Sequence, residues 1–275
     1  MNPDLLKLSI LIAAIIGPVS VWADPQDGEH HPEIIGDAYD LKSGEWRYRE
    51  VHWPEYQSEN GDWIRRIEYQ TADGRVFADK VLNLGDGSRE PRLRPQVTQI
   101  NRDTGRVLSV VSQTEDSGAT ANIKLQPDTS TPALTGQLPI SEKGVIDAGF
   151  DSWIQHNWTE IASGGPVRFD FLAASRLRWV ALIARRQECE SKDPSSLNAQ
   201  WSASPVCVEV VPKNRLLRWL VPAIDLVYQA GESGQVRLVK FSGLGNLVDT
   251  SGQGLRVDIF YRYHFDPVLM MSSEP

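Results

Sequence analysis

From residue 34 onward, apolar and polar residues alternate with a period of two rather than 3.6. That is the pattern of strands with one buried face. The clearest runs are residues 44–53, 63–70, 75–84, 92–101 and 107–114, with 119–125 as a further strand. Glu59-Asn60-Gly61-Asp62, Ala72-Asp73-Gly74, Gly85-Asp86-Gly87 and Asp103-Thr104-Gly105 separate them. Such Gly- and Asp-containing clusters are turn signals. Residues 127–139 read as a linker rich in Thr, Pro and Ser. The alternation resumes at 167–172, 177–185, 206–211, 225–230, 236–241 and 255–265, with 242–246 and 250–254 as connecting turns.

Only residues 147–163 carry a helical pattern. Phe150, Trp153, Ile154, Trp158 and Ile161 fall on one stripe at about 100° per residue. Asp147 is placed to cap the start, and Gly164-Gly165-Pro166 stops the helix. The chain is therefore expected to be mainly β: a large, curved, antiparallel meander sheet, half-barrel-like, with one amphipathic helix packed on its concave side. Residues 34–275 read as a single β-rich domain, because no long linker separates two cores. A division into two lobes near residues 127–145 is the alternative.

Residues 1–23 change the picture of where the protein works. Lys7 is followed by an apolar run from Leu8 to Ile16, and Val21-Trp22-Ala23 offers a cleavage site. The apolar stretch is about 14 residues, short of the roughly 20 that span a bilayer. A cleaved secretory signal ending at Ala23 is expected, then a polar leader at 24–33, and no transmembrane helix in the mature chain. The location implied is the periplasm. Two cysteines, Cys189 and Cys207, flank a polar stretch and are expected to form a disulfide in an oxidising compartment.

The full chain of 275 residues has a net charge of −8, and Asp4 and Lys7 in the signal cancel. An acidic chain excludes nucleic acid as the main partner. Nine tryptophans leave much aromatic area to bury or to offer to a ligand.

An exported leader, a long meander and one helix inside it resemble, in outline, the half-barrel proteins that carry lipids or lipoproteins across the bacterial periplasm. The strings at 46–52 and 149–158 are similar to those of uncharacterised exported β-rich proteins of Gram-negative bacteria. The resemblance implies a location and a fold, and it carries no functional residue.

No nucleophile elbow, zinc-helix motif, P-loop or dinucleotide fingerprint occurs, so no cofactor or metal is expected. Three sets of residues are candidates. On the strand at 46–52, alternation puts Trp46, Tyr48, Glu50 and His52 on one face, where Glu50 could orient His52 as a general base. On the helix, Asn157 sits among Trp153, Trp158 and other apolar residues, with Arg176 as its expected partner. A polar group in an apolar cleft orients a ligand, whereas an unpaired buried amide costs stability. Arg89, Arg92, Arg94, Arg102 and Arg106 form a basic edge able to meet an anion or an acidic partner. The leading expectation is a non-catalytic protein that binds an apolar or amphipathic envelope molecule, such as a lipid, or an envelope protein partner. A cell-envelope hydrolase using His52 and Glu50 is the rival, and a structural or assembly protein is the third reading.

Overall fold

The computed structural model describes residues 31–115, 118–189, 204–214, 218, 222–230 and 235–264. The expected signal at 1–23, most of the expected leader at 24–33 and the core of the inter-cysteine stretch lie outside the described residues.

The first half of the chain forms β1 (Ile34–Asp40), β2 (Trp46–His52), β3 (Tyr56–Gln57), β4 (Trp63–Gln70), β5 (Val76–Asn83), a short helix α1 (Arg89–Leu93), β6 (Gln96–Asn101), β7 (Arg106–Glu115), β8 (Gly118–Gln126) and β9 (Leu134–Pro139). There follow β10 (Gly144–Val145) and two helices, α2 (Gly149–His156) and α3 (Trp158–Ala162). The remaining strands are β11 (Val167–Ala173), β12 (Arg178–Gln187), β13 (Val206–Pro212), β14 (Ile224–Ala230), β15 (Val236–Val248) and β16 (Gly254–Tyr263). A single 3₁₀ turn, Ala174–Arg176, joins β11 to β12.

All these strands belong to one curved, 16-stranded sheet. Across the sheet the order runs from β10 to β16, continues into β1, β2 and β4, and ends at β9, with β3 paired to β4. Every pairing is antiparallel except β10 with β11. The first and last strands of the domain, β1 and β16, therefore lie side by side within the sheet, in register from Ile34↔Tyr263 to Asp40↔Val257. The two free edges belong to β9 and β10, which follow one another in sequence through residues 140–143. So short a connection requires the sheet to curl until its edges approach. There the Trp179 indole N–H donates to the Pro139 carbonyl at 2.9 Å, and the Leu177 side chain lies against Gly136.

The concave side holds two apolar clusters. One gathers residues from the first half of the sheet and its closing strands, including Tyr48, Ile67, Tyr69, Leu82, Val97, Val110, Ile123 and Ile259. The other packs the helices on β11 to β15, with Trp153, Ile154, Ile161, Phe169, Val208, Leu226 and Tyr228. Phe241 and Tyr261 touch both. The apolar stripe read from the sequence is the buried face of the helices: Ile154 and Ile161 are fully buried and Trp153 nearly so.

Several local expectations are corrected. Residues 134–139, read as linker, form edge strand β9, because Leu134, Gly136 and Leu138 pair with β8. Residues 242–246, read as a turn, lie within β15: Gly243 pairs regularly with Val257, and a register shift between Leu244 and Val248 takes in Gly245. The start of the 92–101 run is helical, since Pro91 and the acidic Glu90 suit the first turn of α1. The long helix is two helices. The Asn157 amide donates to the Trp153 carbonyl at 2.8 Å, beside the backbone N–H of the same residue, and ends α2. Asp147 does not cap α2: the cap position before Gly149 is Ala148, and it has no side-chain capping bond. The Asp147 backbone is left-handed (φ 46°), and its carboxylate is taken by the Nζ of Lys80, on β5, at 2.7 and 3.0 Å.

Candidate functional site

β2 sets the first candidate group. Ladder pairing places Ala38, Tyr48, Glu50 and Tyr69 on the concave side, opposite Gly36 and Tyr261. His52 Nε2 lies 3.2 Å from Glu50 Oε2, and the Tyr261 hydroxyl donates to the same oxygen at 3.2 Å. The expected Glu50–His52 pair is thus formed. The Tyr261 ring crosses the His52 ring edge-on at 5.9 Å. It can sit there because Gly36 lacks a side chain: a Cβ at that position would meet the ring at 2.7 Å. Burial drives the Tyr48, Tyr69 and Tyr261 hydroxyls well above their ordinary pKa, and the Glu50 charge adds to it.

Trp46 does not join this group. The register shift between Ala38 and Tyr39 breaks the alternation, so Trp46 faces Tyr39. Its indole lies 3.5 Å from Asp37, which also accepts hydrogen bonds from Arg49 and Arg262 on the neighbouring strands. Trp46 therefore belongs to the convex face. There, burial would raise the Asp37 carboxyl, but the two arginines outweigh it and hold the pKa below the usual carboxylate range.

Asp151, on the helical insert, gave no distinctive sequence signal beyond its spacing of four from Gln155. Its carboxylate accepts the Tyr228 hydroxyl at 2.8 Å and the Gln155 amide at 2.8 Å. Burial pushes its pKa up, opposed by the Tyr228 hydroxyl, the Arg65 charge, the Gln155 amide and the His52 charge. Trp158 stacks obliquely on Tyr228 at 5.3 Å and Trp153 on Phe169 at 4.5 Å. These contacts pack the helices onto the wall. His52 has 14 % of its side chain exposed and Glu50 has 7 %. His52 and the Tyr261 hydroxyl together fix the position of the Glu50 carboxylate.

The open space lies elsewhere. A cleft of about 450 Å³ sits at the rim between α1, the strand pair β10–β11 and the α2–α3 break. Its lining is mainly polar and charged, with Arg89, Arg168 and Asn157 among it, and Leu93, Trp153 and Val167 supply the smaller apolar part. Of the residues singled out in the sequence, the cleft brings together Trp153, Asn157, Arg89 and Arg94. It excludes Tyr48, Glu50, His52 and Trp158. Arg176 is exposed in the 3₁₀ turn, and the Asn157 amide is satisfied within its own helix instead. The signal for Val167 and Arg168 was hidden, because nothing in a strand pattern tells which strand an insert will cover.

The five arginines do not form one edge. Arg89, Arg92 and Arg94 sit on and beside α1, while Arg102 and Arg106 flank the turn at the far end of β6. Arg92 grips Glu55 with two hydrogen bonds of 3.0 and 2.8 Å, and Arg102 holds Asp79. Burial lowers the Arg106 pKa.

Cys189 and Cys207 form a disulfide with Cα atoms 5.2 Å apart, tying the end of β12 to β13. Among the described residues no helix is long and apolar enough to cross a membrane, and no cluster of metal-ligating side chains occurs.

No family model matches the chain, and no curated protein matches it. Among solved structures, the chain is similar to a beta-barrel-like protein of a domain of unknown function, DUF1849, from Brucella abortus. The identity is 11 %, the TM-score is 0.44, and the match covers 86 % of this chain and 100 % of the other.

Proposed function

We propose that the protein is an exported, non-catalytic binding protein that takes an apolar or amphipathic envelope molecule into the rim cleft. The observation that carries this reading is the meeting of Leu93, Trp153 and Val167 with Asn157 in one cleft of about 450 Å³. That volume lies within the usual range for small-molecule sites, and the charged residues around the small apolar part suit a ligand with a polar head. Export is supported by the signal pattern of residues 1–23 and by the disulfide, which persists in oxidising compartments.

A detergent whose alkyl chain carries bromine tests the reading, since bromine quenches a tryptophan it touches. Titration is expected to quench fluorescence in the native protein and much less in Trp153→Phe. Equal quenching in the two, or none in the native protein, overturns the cleft as the site. Expression with the leader intact is expected to yield a chain beginning at Asp24; retention of residues 1–23 overturns the export reading.

A further inference from the structure

The cleft contains more positive charge than its own carboxylates hold. Arg94 is fully engaged: it pairs with Glu90 at 2.8 Å and donates to the carbonyls of Glu142 and Gly144. Arg89, Lys143 and Arg168 line the same cleft, are exposed, and make no ion pair among the described residues. Elsewhere Arg65, Arg92 and Arg102 each hold a carboxylate, and what sets the three apart is that they share one cleft. Glu142 and Glu160 also face the cleft, so the cations exceed the acids there by one. The three unpaired cations come from three separate segments: the start of α1, the residue before β10, and the second residue of β11. Trp153 and Leu93 lie beneath them, nearly buried.

We propose, resting on the binding reading above, that this cleft selects an amphipath with an anionic head and a single apolar chain. Arg89, Lys143 and Arg168 receive the head, and the Leu93, Trp153 and Val167 surface receives the first part of the chain. A phosphate or carboxylate head satisfies guanidinium groups by charge-assisted hydrogen bonds. Displacing water from the apolar floor adds the affinity that an inorganic anion lacks.

The test compares n-dodecyl phosphate, neutral n-dodecyl maltoside and inorganic phosphate by calorimetric titration below the micelle-forming concentration. The full chain with its disulfide intact is used. Dodecyl phosphate is expected to bind at least ten-fold more tightly than the maltoside, with a preference that shrinks as salt rises. The triple variant Arg89→Gln, Lys143→Gln, Arg168→Gln is expected to bind both detergents alike and to keep the melting temperature of the native protein, since all three side chains are exposed. Equal binding of the two detergents by the native protein overturns charge selection and leaves the binding reading standing. Inorganic phosphate binding as tightly as dodecyl phosphate overturns the amphipath. Absence of binding by all three overturns both.

Discussion

The ammonium group of Lys80 and the carboxylate of Asp147 lie 2.7 Å apart where the helical insert leaves the sheet. Lys80 is 1 % exposed and its partner 11 %. Asp147 reaches it from a left-handed backbone and also accepts the N–H of Ala148, the residue just before α2. One carboxylate thus fixes β5 and the first turn of the insert together. Lys80→Ala strands a buried carboxylate and is expected to cost about 3–5 kcal/mol. Lys80→Met with Asp147→Asn, which removes both charges, is expected to cost much less. Urea unfolding of the two variants checks this; equal losses would show that the ion pair has no special weight.

Gly149 makes the cleft possible. A Cβ there would sit 2.1 Å from the Leu93 carbonyl oxygen and 2.5 Å from its carbon, atoms of α1 that cannot turn aside. The same carbonyl accepts the Ile146 N–H at 3.0 Å. Gly149→Ala is expected to push α1 from α2, lower stability by about 1–3 kcal/mol and abolish quenching of Trp153 by the brominated detergent. A variant that melts and quenches like the native protein would refute this close approach.

Asp151 should make the insert sensitive to pH. Its native pKa lies above the ordinary 3.8, so its stabilising contribution is complete below 3.8 and is lost as pH rises through the raised native value. Asp151→Asn cannot ionise. The stability of the native protein relative to that variant is expected to fall as pH rises from 3.8, measured by denaturant unfolding at several pH values. Parallel curves would show that Asp151 ionises without consequence.

Reduction of the disulfide between Cys189 and Cys207 opens a loop with a sequence separation of 18. For a loop of this size the chain-entropy model gives about 3 kcal/mol. Cys189→Ser with Cys207→Ala is expected to lower the melting temperature by several degrees. Because neither cysteine lines the cleft, binding of the brominated detergent at low temperature is expected to remain.

Period-two alternation was enough to read most of the sheet, because one face of each strand is buried and the other is not. It failed where that contrast vanishes. At β9 every residue is exposed or half-buried, so Leu134 and Leu138 give no clean pattern. At β15 Gly243 and Gly245, beside the register shift between Leu244 and Val248, imitate a turn. The pairing of Glu50 with His52 was legible because both lie on one strand. The rim cleft was only partly so: Trp153, Asn157 and Arg89 carry local signals, whereas Lys143 and Arg168 gain meaning only from the path of the sheet. Trp46 was misplaced by a single register shift, which reverses faces at once.

The sheet order has one more consequence. Because β16 and β1 are hydrogen-bonded neighbours, with His264 N–H donating to the Glu33 carbonyl at 2.8 Å, the two ends of the described domain are within reach of a short peptide link. Joining them and cutting the chain at residues 140–143 yields a circular permutant running from β10 to β9. In that permutant the pairing of first and last strands, the most sequence-distant in the sheet, becomes an ordinary hairpin. Distant pairings slow folding because their loops close late. The natural chain cannot complete its sheet until its final strand arrives, whereas the permutant would assemble by adding each strand to its immediate predecessor.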